Sequence, residues 1–284
     1  LRISATLFLT DRTIAPTALA RALEERRFHA LHLPEHSHIP VTTTSRYPGG
    51  VMPPECARML NPFVALAQAA AVTERLHLGT NITLVAQHDP IDLAKQVATL
   101  DHLSSGRVTL GIGYGWNREE AADHGVDWPR RRTLVSDRLA VMRALWAPEP
   151  TAYEGELARV TASDVHPKPA RTPRSGPAGP LYGPRILIGG AAGPQLFARI
   201  AAEADGWMPV GGSGLRETLP TLRTAWKDAG RNPDDLHLTL SGVDPTPGKL
   251  TYYRDLGIDE VILQLPPSDT PTVIATLDTY AKYC

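Results

Sequence analysis

Short apolar runs recur eight times along the chain, each followed by a segment long enough to hold a helix. They are Arg2–Leu9, Ala30–Leu33, Leu76–Thr80, Val108–Ile112, Arg185–Gly189, Gly206–Val210, Leu236–Leu240 and Glu260–Leu265. Most are continuous rather than alternating and are bounded by turn residues, the pattern of parallel strands buried on both faces. The intervening segments carry helical signals. Asn61-Pro62 and Asp89-Pro90 each place a capping side chain before a proline at the first helical position. Phe63–Val72 is almost wholly apolar and predicts a buried helix. After Asp89, residues Leu93, Val97 and Leu100 fall at i, i+4 and i+7 and make one apolar face. Ser104-Ser105-Gly106 then supplies a glycine stop. Later helices are expected over Pro194–Ala204, Leu215–Ala229, Pro247–Leu256 and Thr270–Tyr283. Eight strand–helix units in 284 residues predict an α/β fold, a closed (β/α)8 TIM barrel forming one domain over 1–284. The active site of such a barrel lies at the C-terminal ends of its strands.

Two segments are too long to be plain connections. Pro34–Leu60 follows the second strand and carries His36, His38, Arg46, Tyr47, Gly49-Gly50 and Pro53-Pro54. Pro148–Pro184 precedes the fifth strand, opens with a hairpin signal around Glu154-Gly155-Glu156 and ends in a proline-rich run. Both are read as insertions, about 34–60 and 148–184, of the kind that serve as lids or binding loops. A net charge of −1 with no long like-charge run speaks against nucleic acid or a membrane surface as partner. Cys56 and Cys284 form no CxxC pair, as expected of thiols in a reducing compartment. No apolar stretch reaches spanning length, and no basic-then-apolar layout opens the chain. The expected setting is the cytoplasm and the expected partner a small molecule.

Four strand ends carry the candidate chemistry. Glu35, His36 and His38 leave the second strand, where an imidazole can bind an anion or move a proton near neutral pH. The third strand ends in Gly79-Thr80-Asn81-Ile82-Thr83, a small residue followed by hydrogen-bonding groups. The fourth ends in Gly113-Tyr114-Gly115-Trp116-Asn117, whose glycines let a planar ligand or a phosphate approach the backbone. The fifth runs through Gly189-Gly190-Ala191-Ala192-Gly193 into a helix start, an anion site made of free N–H groups. His88 is placed at the same face as a substrate contact. Met52, Met59 and Trp128 are possible pocket residues, and Trp207 a core or cofactor wall. Arg130-Arg131-Arg132 reads either as a solvated basic helix start or as contacts for an acidic ligand.

In order and spacing these stretches resemble the luciferase-like monooxygenase superfamily, and within it the members that use the deazaflavin coenzyme F420. The resemblance rests on Leu78-Gly79-Thr80-Asn81-Ile82, on the run from Gly106 to Glu120, on Ile188-Gly189-Gly190 and on Ala204-Asp205-Gly206-Trp207-Met208-Pro209. It implies a deazaflavin or flavin in the barrel mouth, and a homodimer. It also implies a cis peptide at Asn81–Ile82, forming a bulge behind the tricyclic ring. Thr80, Asn81, Ile82, Gly113, Tyr114 and Gly115 would then lie about the ring, and Gly189 to Gly193 would take the coenzyme phosphate. Glu35 and His36 match an acid–histidine pair at the catalytic face, with His38, His88 and Trp116 left for substrate.

The sequence departs from that pattern at one place. Some F420 dehydrogenases of sugars or alcohols carry a proton-donating glutamate where this chain has Trp116, and Glu119 and Glu120, a turn further on, are expected to face solvent. The expected reaction is hydride transfer between F420 and a small apolar or aromatic organic substrate, with His36 handling the proton. The first alternative is an oxygen-using monooxygenase with FMN. A second is a zinc hydrolase built on His36-x-His38, with Asp244 as the one tempting further carboxylate; no metal is expected on the preferred reading.

Overall fold

The computed structural model describes residues 1–171 and 173–284; position 172, inside the second insertion, lies outside the described residues. The strands in chain order are β1 (Arg2–Thr6), β2 (Ala30–Leu33), β3 (His77–Thr80), β4 (Val108–Ile112), β5 (Thr151–Glu154), β6 (Arg159–Ser163), β7 (Arg174–Gly176), β8 (Gly179–Leu181), β9 (Arg185–Gly189), β10 (Gly206–Met208), β11 (His237–Ser241) and β12 (Glu260–Gln264). Eight of them close a barrel in the order β1-β12-β11-β10-β9-β4-β3-β2. Every pairing in it is parallel, and β1 meets β12 from Arg2 opposite Glu260 to Thr6 opposite Gln264. The predicted TIM barrel is therefore present, with all eight strands where the apolar runs placed them. The first strand is shorter than the run Arg2–Leu9, because pairing ends at Thr6 while Leu7 and Leu9 stay buried beyond it.

The helices are α1 (Pro16–Glu25), α2 (Pro62–Ala71), α3 (Pro90–Leu103), α4 (Arg118–Asp123), α5 (Arg131–Trp146), α6 (Pro194–Glu203), α7 (Leu215–Asp228), α8 (Pro247–Asp255) and α9 (Thr270–Tyr280). Asn61 and Asp89 cap α2 and α3 by accepting from two backbone N–H groups each. The second insertion holds two hairpins. β5 and β6 flank the predicted turn, whereas β7 and β8 fall inside the proline-rich run. None of the described helices is long and apolar enough to cross a membrane.

The barrel interior is unusually polar at its lower end. Glu260 on β12 accepts hydrogen bonds from Ser4 Oγ (2.6 Å) and His32 Nε2 (2.9 Å) and is fully enclosed. Burial pushes its carboxyl up, but the imidazoles of His32 and His237 overcome that and hold it well below the usual carboxylate range. His29 stacks on His77 with ring centroids 4.5 Å apart. Burial lowers both, His29 to about 4, and it lowers His237 as well.

The acid stability of the fold follows from these directions. An unfolded histidine takes its proton near 6.5, whereas folded His29 waits until about 4. Between those values the unfolded chain binds more protons, so stability falls as pH falls through the window. After screening, His29 contributes on the order of 1–2 kcal/mol to that loss. Glu260 acts in the same direction at lower pH, since a depressed carboxyl loses its stabilisation on protonation. Thermal melts at stepped pH check this. A falling Tm between pH 6.5 and 4 is expected, and a flat one would contradict the half-buried histidine pair.

Candidate active site

The C-terminal ends of β2, β3, β4 and β9 open into one cavity of about 650 Å³, with Met208 and Val210 at the end of β10 closing one side. Its floor is the chain leaving β3. The Asn81–Ile82 peptide is cis, at the bond the resemblance implied. Asn81 Nδ2 donates to Ser241 Oγ (2.7 Å), and Thr80 Oγ1 donates to the carbonyl of Gly111 (2.7 Å). Thr80 is buried and does not line the cavity; it ties β3 to β4. The Ile82 side chain lies between two glycines. A Cβ at Gly113 would stand 2.5 Å from Ile82 Cδ1, and one at Gly189 would stand 3.2 Å from Ile82 Cγ2. Gly113 just beyond β4 and Gly189 at the end of β9 thus make room for the residue of the bulge, a reason for small residues that the local sequence did not disclose.

Beside this floor, where β2 ends, Glu35 and His36 diverge. Glu35 is buried and accepts from Leu84 N (2.7 Å), with His88 Nε2 at 2.8 Å from its other oxygen. It therefore holds the segment just after the bulge. His88 is half-buried between Glu35 and the edge of Phe63 and does not line the cavity. His36 Nδ1 lies 2.8 Å from Glu120 Oε2, and His36 Nε2 accepts from Trp116 Nε1 at 3.1 Å. Trp116 in turn packs edge-on against Tyr47, at 5.3 Å between centroids.

Glu120 corrects an expectation. It is enclosed rather than solvent-facing, with 1% of its side chain exposed, and it also accepts from Ser37 N (3.1 Å). The sequence did hold a hint, since Asn117 caps α4 and Glu120 stands at the third helical position, where a capping-box acid is found. Here that carboxylate turns to His36 instead of back to its own helix. Glu119 is not free either. It accepts from Thr43 Oγ1 (3.0 Å), Thr44 N (2.9 Å), Thr44 Oγ1 (2.7 Å) and Ser45 Oγ (2.6 Å), which hold its carboxyl far below the usual range and fasten the first insertion to α4.

His38 points away from the cavity. Its side chain is 41% exposed and its Nε2 lies 3.0 Å from Asp123 Oδ2. The two histidines of His36-x-His38 therefore turn to different carboxylates, and among the described residues no three His, Cys, Asp or Glu converge as a metal site.

The remaining wall is basic. Arg131 and Arg132 line the cavity beside Tyr114, whereas Arg130 pairs with Glu156 outside it. A side pocket of about 100 Å³ adjoins this wall and is lined by Tyr114, Arg132, Gly190, Ala191, Gln195, Leu196 and Arg199. Ala192 and Gly193 line neither space, although Gly193 caps α6. The Tyr114 hydroxyl is buried with no hydrogen-bond partner among the described residues, and burial pushes its pKa up to about 12. It is a donor available to a ligand. Of the other residues named from sequence, Met59 and Cys56 line the cavity and Met52 does not; Trp128 lies outside it with Arg131 stacked 3.9 Å above its ring. Trp207 is core, and its Nε1 donates to Gly190 O (3.1 Å).

The profile of the luciferase-like monooxygenase family matches residues 15–243. An uncharacterized protein of Mycobacterium tuberculosis is 39% identical over 280 residues, covering 97% of this chain and 95% of the relative. An F420-dependent glucose-6-phosphate dehydrogenase of Intrasporangium calvum is 30% identical over 203 residues, covering 68% of this chain and 55% of the relative. Among solved structures, the monooxygenase RslO1 of Streptomyces bottropensis superposes with a TM-score of 0.77 at 20% identity, over 99% of this chain and 98% of that one. With a barrel mouth of this shape and F420-dependent dehydrogenases among its relatives, the chain belongs to the luciferase-like monooxygenase family and is an oxidoreductase.

Proposed function

We propose that the protein transfers a hydride between coenzyme F420 and a small apolar or aromatic organic substrate. One observation carries the reading: a single cavity holds the Asn81–Ile82 bulge, a basic end at Arg131 and Arg132, and His36. The residues fit a tricyclic coenzyme. The bulge, packed by Gly113 and Gly189, offers it a rigid backstop, and Tyr114 and Gly115 stand alongside. Gly190, Ala191 and the arginines suit its phosphate, and the unpartnered Tyr114 hydroxyl supplies a donor. When bound, F420 supplies a ring carbon that carries or accepts the hydride.

The chain's own part is to position and to move a proton. Phe8, Tyr47, Cys56, Met59, Leu84 and Trp116 give the substrate side an apolar lining that excludes water. His36 also lines the cavity, and through Nε2 it exchanges the proton that accompanies the hydride. Glu35 anchors the backbone after the bulge and keeps the backstop in place. The reading includes a homodimer in the cytoplasm, with the apolar groove between α2 and α3, where Val64 and Leu103 stay exposed, as the pairing face.

Titrating the purified protein separately with F420 and FMN, followed by fluorescence or calorimetry, tests the coenzyme. Tight binding of F420 with weak or no binding of FMN is expected. Tight binding of FMN alone would replace the reading with an oxygen-using monooxygenase, and binding of neither would remove its basis.

A further inference from the structure

The structure assigns Glu120 as the positioning residue that holds His36 ready to accept a proton from the cavity. Three contacts around the imidazole decide its form. The Trp116 indole N–H can only donate, so Nε2, 3.1 Å away, is the unprotonated nitrogen. Nδ1 therefore carries the hydrogen and donates it to Glu120 Oε2 at 2.8 Å. The other carboxylate oxygen accepts from Ser37 N at 3.1 Å. Both oxygens of Glu120 thus face N–H donors, the arrangement of an ionised carboxylate rather than of an acid. The pair is enclosed, with side chains 8% and 1% exposed, so solvent does not reset the ring.

This assignment rests on the functional reading above and gives it a sequence of events. Trp116 holds the Nε2 lone pair until a substrate group takes its place. Nε2 would then take the proton of the substrate O–H as that bond breaks, while bound oxidised F420 would supply the acceptor for the hydride from the substrate carbon. The ring now carries hydrogens on both nitrogens, and the Glu120 carboxylate compensates its positive charge. The proton is returned to water when the product leaves. With the Trp116 indole, a carboxylate in this place fixes the tautomer and the orientation of the base, and it does not itself line the cavity.

Nitrogen NMR of the full chain labelled in histidine, without coenzyme, reads the tautomer directly. His36, assigned through His36→Gln, is expected to show Nδ1 protonated and Nε2 bare at neutral pH. In Glu120→Gln the amide has one oxygen for two donors; where its NH2 faces Nδ1 it calls for a bare Nδ1 while Trp116 still calls for a bare Nε2, so the single Nδ1–H form is expected to give way to a mixture of tautomers. With F420 and substrate, Glu120→Gln is expected to lower kcat by about 10²–10⁴-fold with KM little changed. A native His36 protonated at Nε2 would overturn the assignment, as would a Glu120→Gln variant with native tautomer or native kcat. If Glu120→Gln loses the tautomer in a protein that turns over no F420, the functional reading fails and the hold of Glu120 on His36 stands. The native spectrum needs only His36→Gln for its assignment, so a misfolded Glu120→Gln protein would leave that arm of the test intact.

Discussion

His36→Ala is expected to lower turnover by about 10²–10⁴-fold, the usual contribution of a positioned acid–base group. Coenzyme affinity should change little, because the groups suited to the coenzyme come from β3, β4, β9 and α5 rather than from the end of β2. Removing the imidazole also frees the Trp116 indole and leaves Glu120 without its closest partner. A buried carboxylate without its partner costs stability of about 1–3 kcal/mol. A melting curve must therefore accompany the kinetics. Steady-state rates and coenzyme titration on native and variant protein separate the two effects. Unchanged turnover would remove His36 from the reaction, and lost coenzyme binding would move it to the ring.

The second large effect is structural. Gly111 lies inside β4, facing the bend where β3 gives way to the bulge. A methyl there would stand 2.1 Å from the carbonyl oxygen of Thr80 and 3.0 Å from Met208 Sδ. The first neighbour is backbone and cannot rotate aside. The carbonyl of Gly111 also receives Thr80 Oγ1 and Thr83 N, both 2.7 Å away, so any shift of β4 disturbs the cavity floor. Gly111→Ala is expected to cost about 3 kcal/mol. That lowers Tm by about 6–12 °C in a domain this large, and coenzyme affinity should fall with it. Gly193→Ala is the comparison. A methyl there meets nothing within 4 Å, and its effect on stability should stay within about 0.5 kcal/mol. A Gly111→Ala protein that melts like the native one would contradict the close packing of β3 on β4.

The barrel was readable because parallel strands buried on both faces leave continuous apolar runs, and all eight runs became strands. Ala30–Leu33, Val108–Ile112 and Arg185–Gly189 agree with the observed strands to the residue. The β7–β8 hairpin was not readable, since prolines at 173, 177 and 180 mask a pairing only three residues long. The site was legible in its backbone parts, where glycines and the turn after Thr80 leave a trace in sequence. Its side-chain pairs were less so. Glu35 and His36 are neighbours in sequence, but successive side chains in an extended segment point in opposite directions. One therefore serves Leu84 and His88, the other Glu120 and Trp116. The partner of His36 lies 84 residues away on a short helix, a pairing that only the closed barrel creates.

Hydride transfer with a deazaflavin is best decided by anaerobic turnover. Oxidised F420 and the protein are mixed with a panel of small apolar and aromatic alcohols, and reduced F420 with the matching carbonyl compounds. Coenzyme absorbance is followed without oxygen. A substrate-dependent change in the F420 spectrum, strongly reduced in His36→Ala, is expected. No change with any substrate, alongside oxygen consumption when reduced FMN is supplied, would contradict hydride transfer with a deazaflavin.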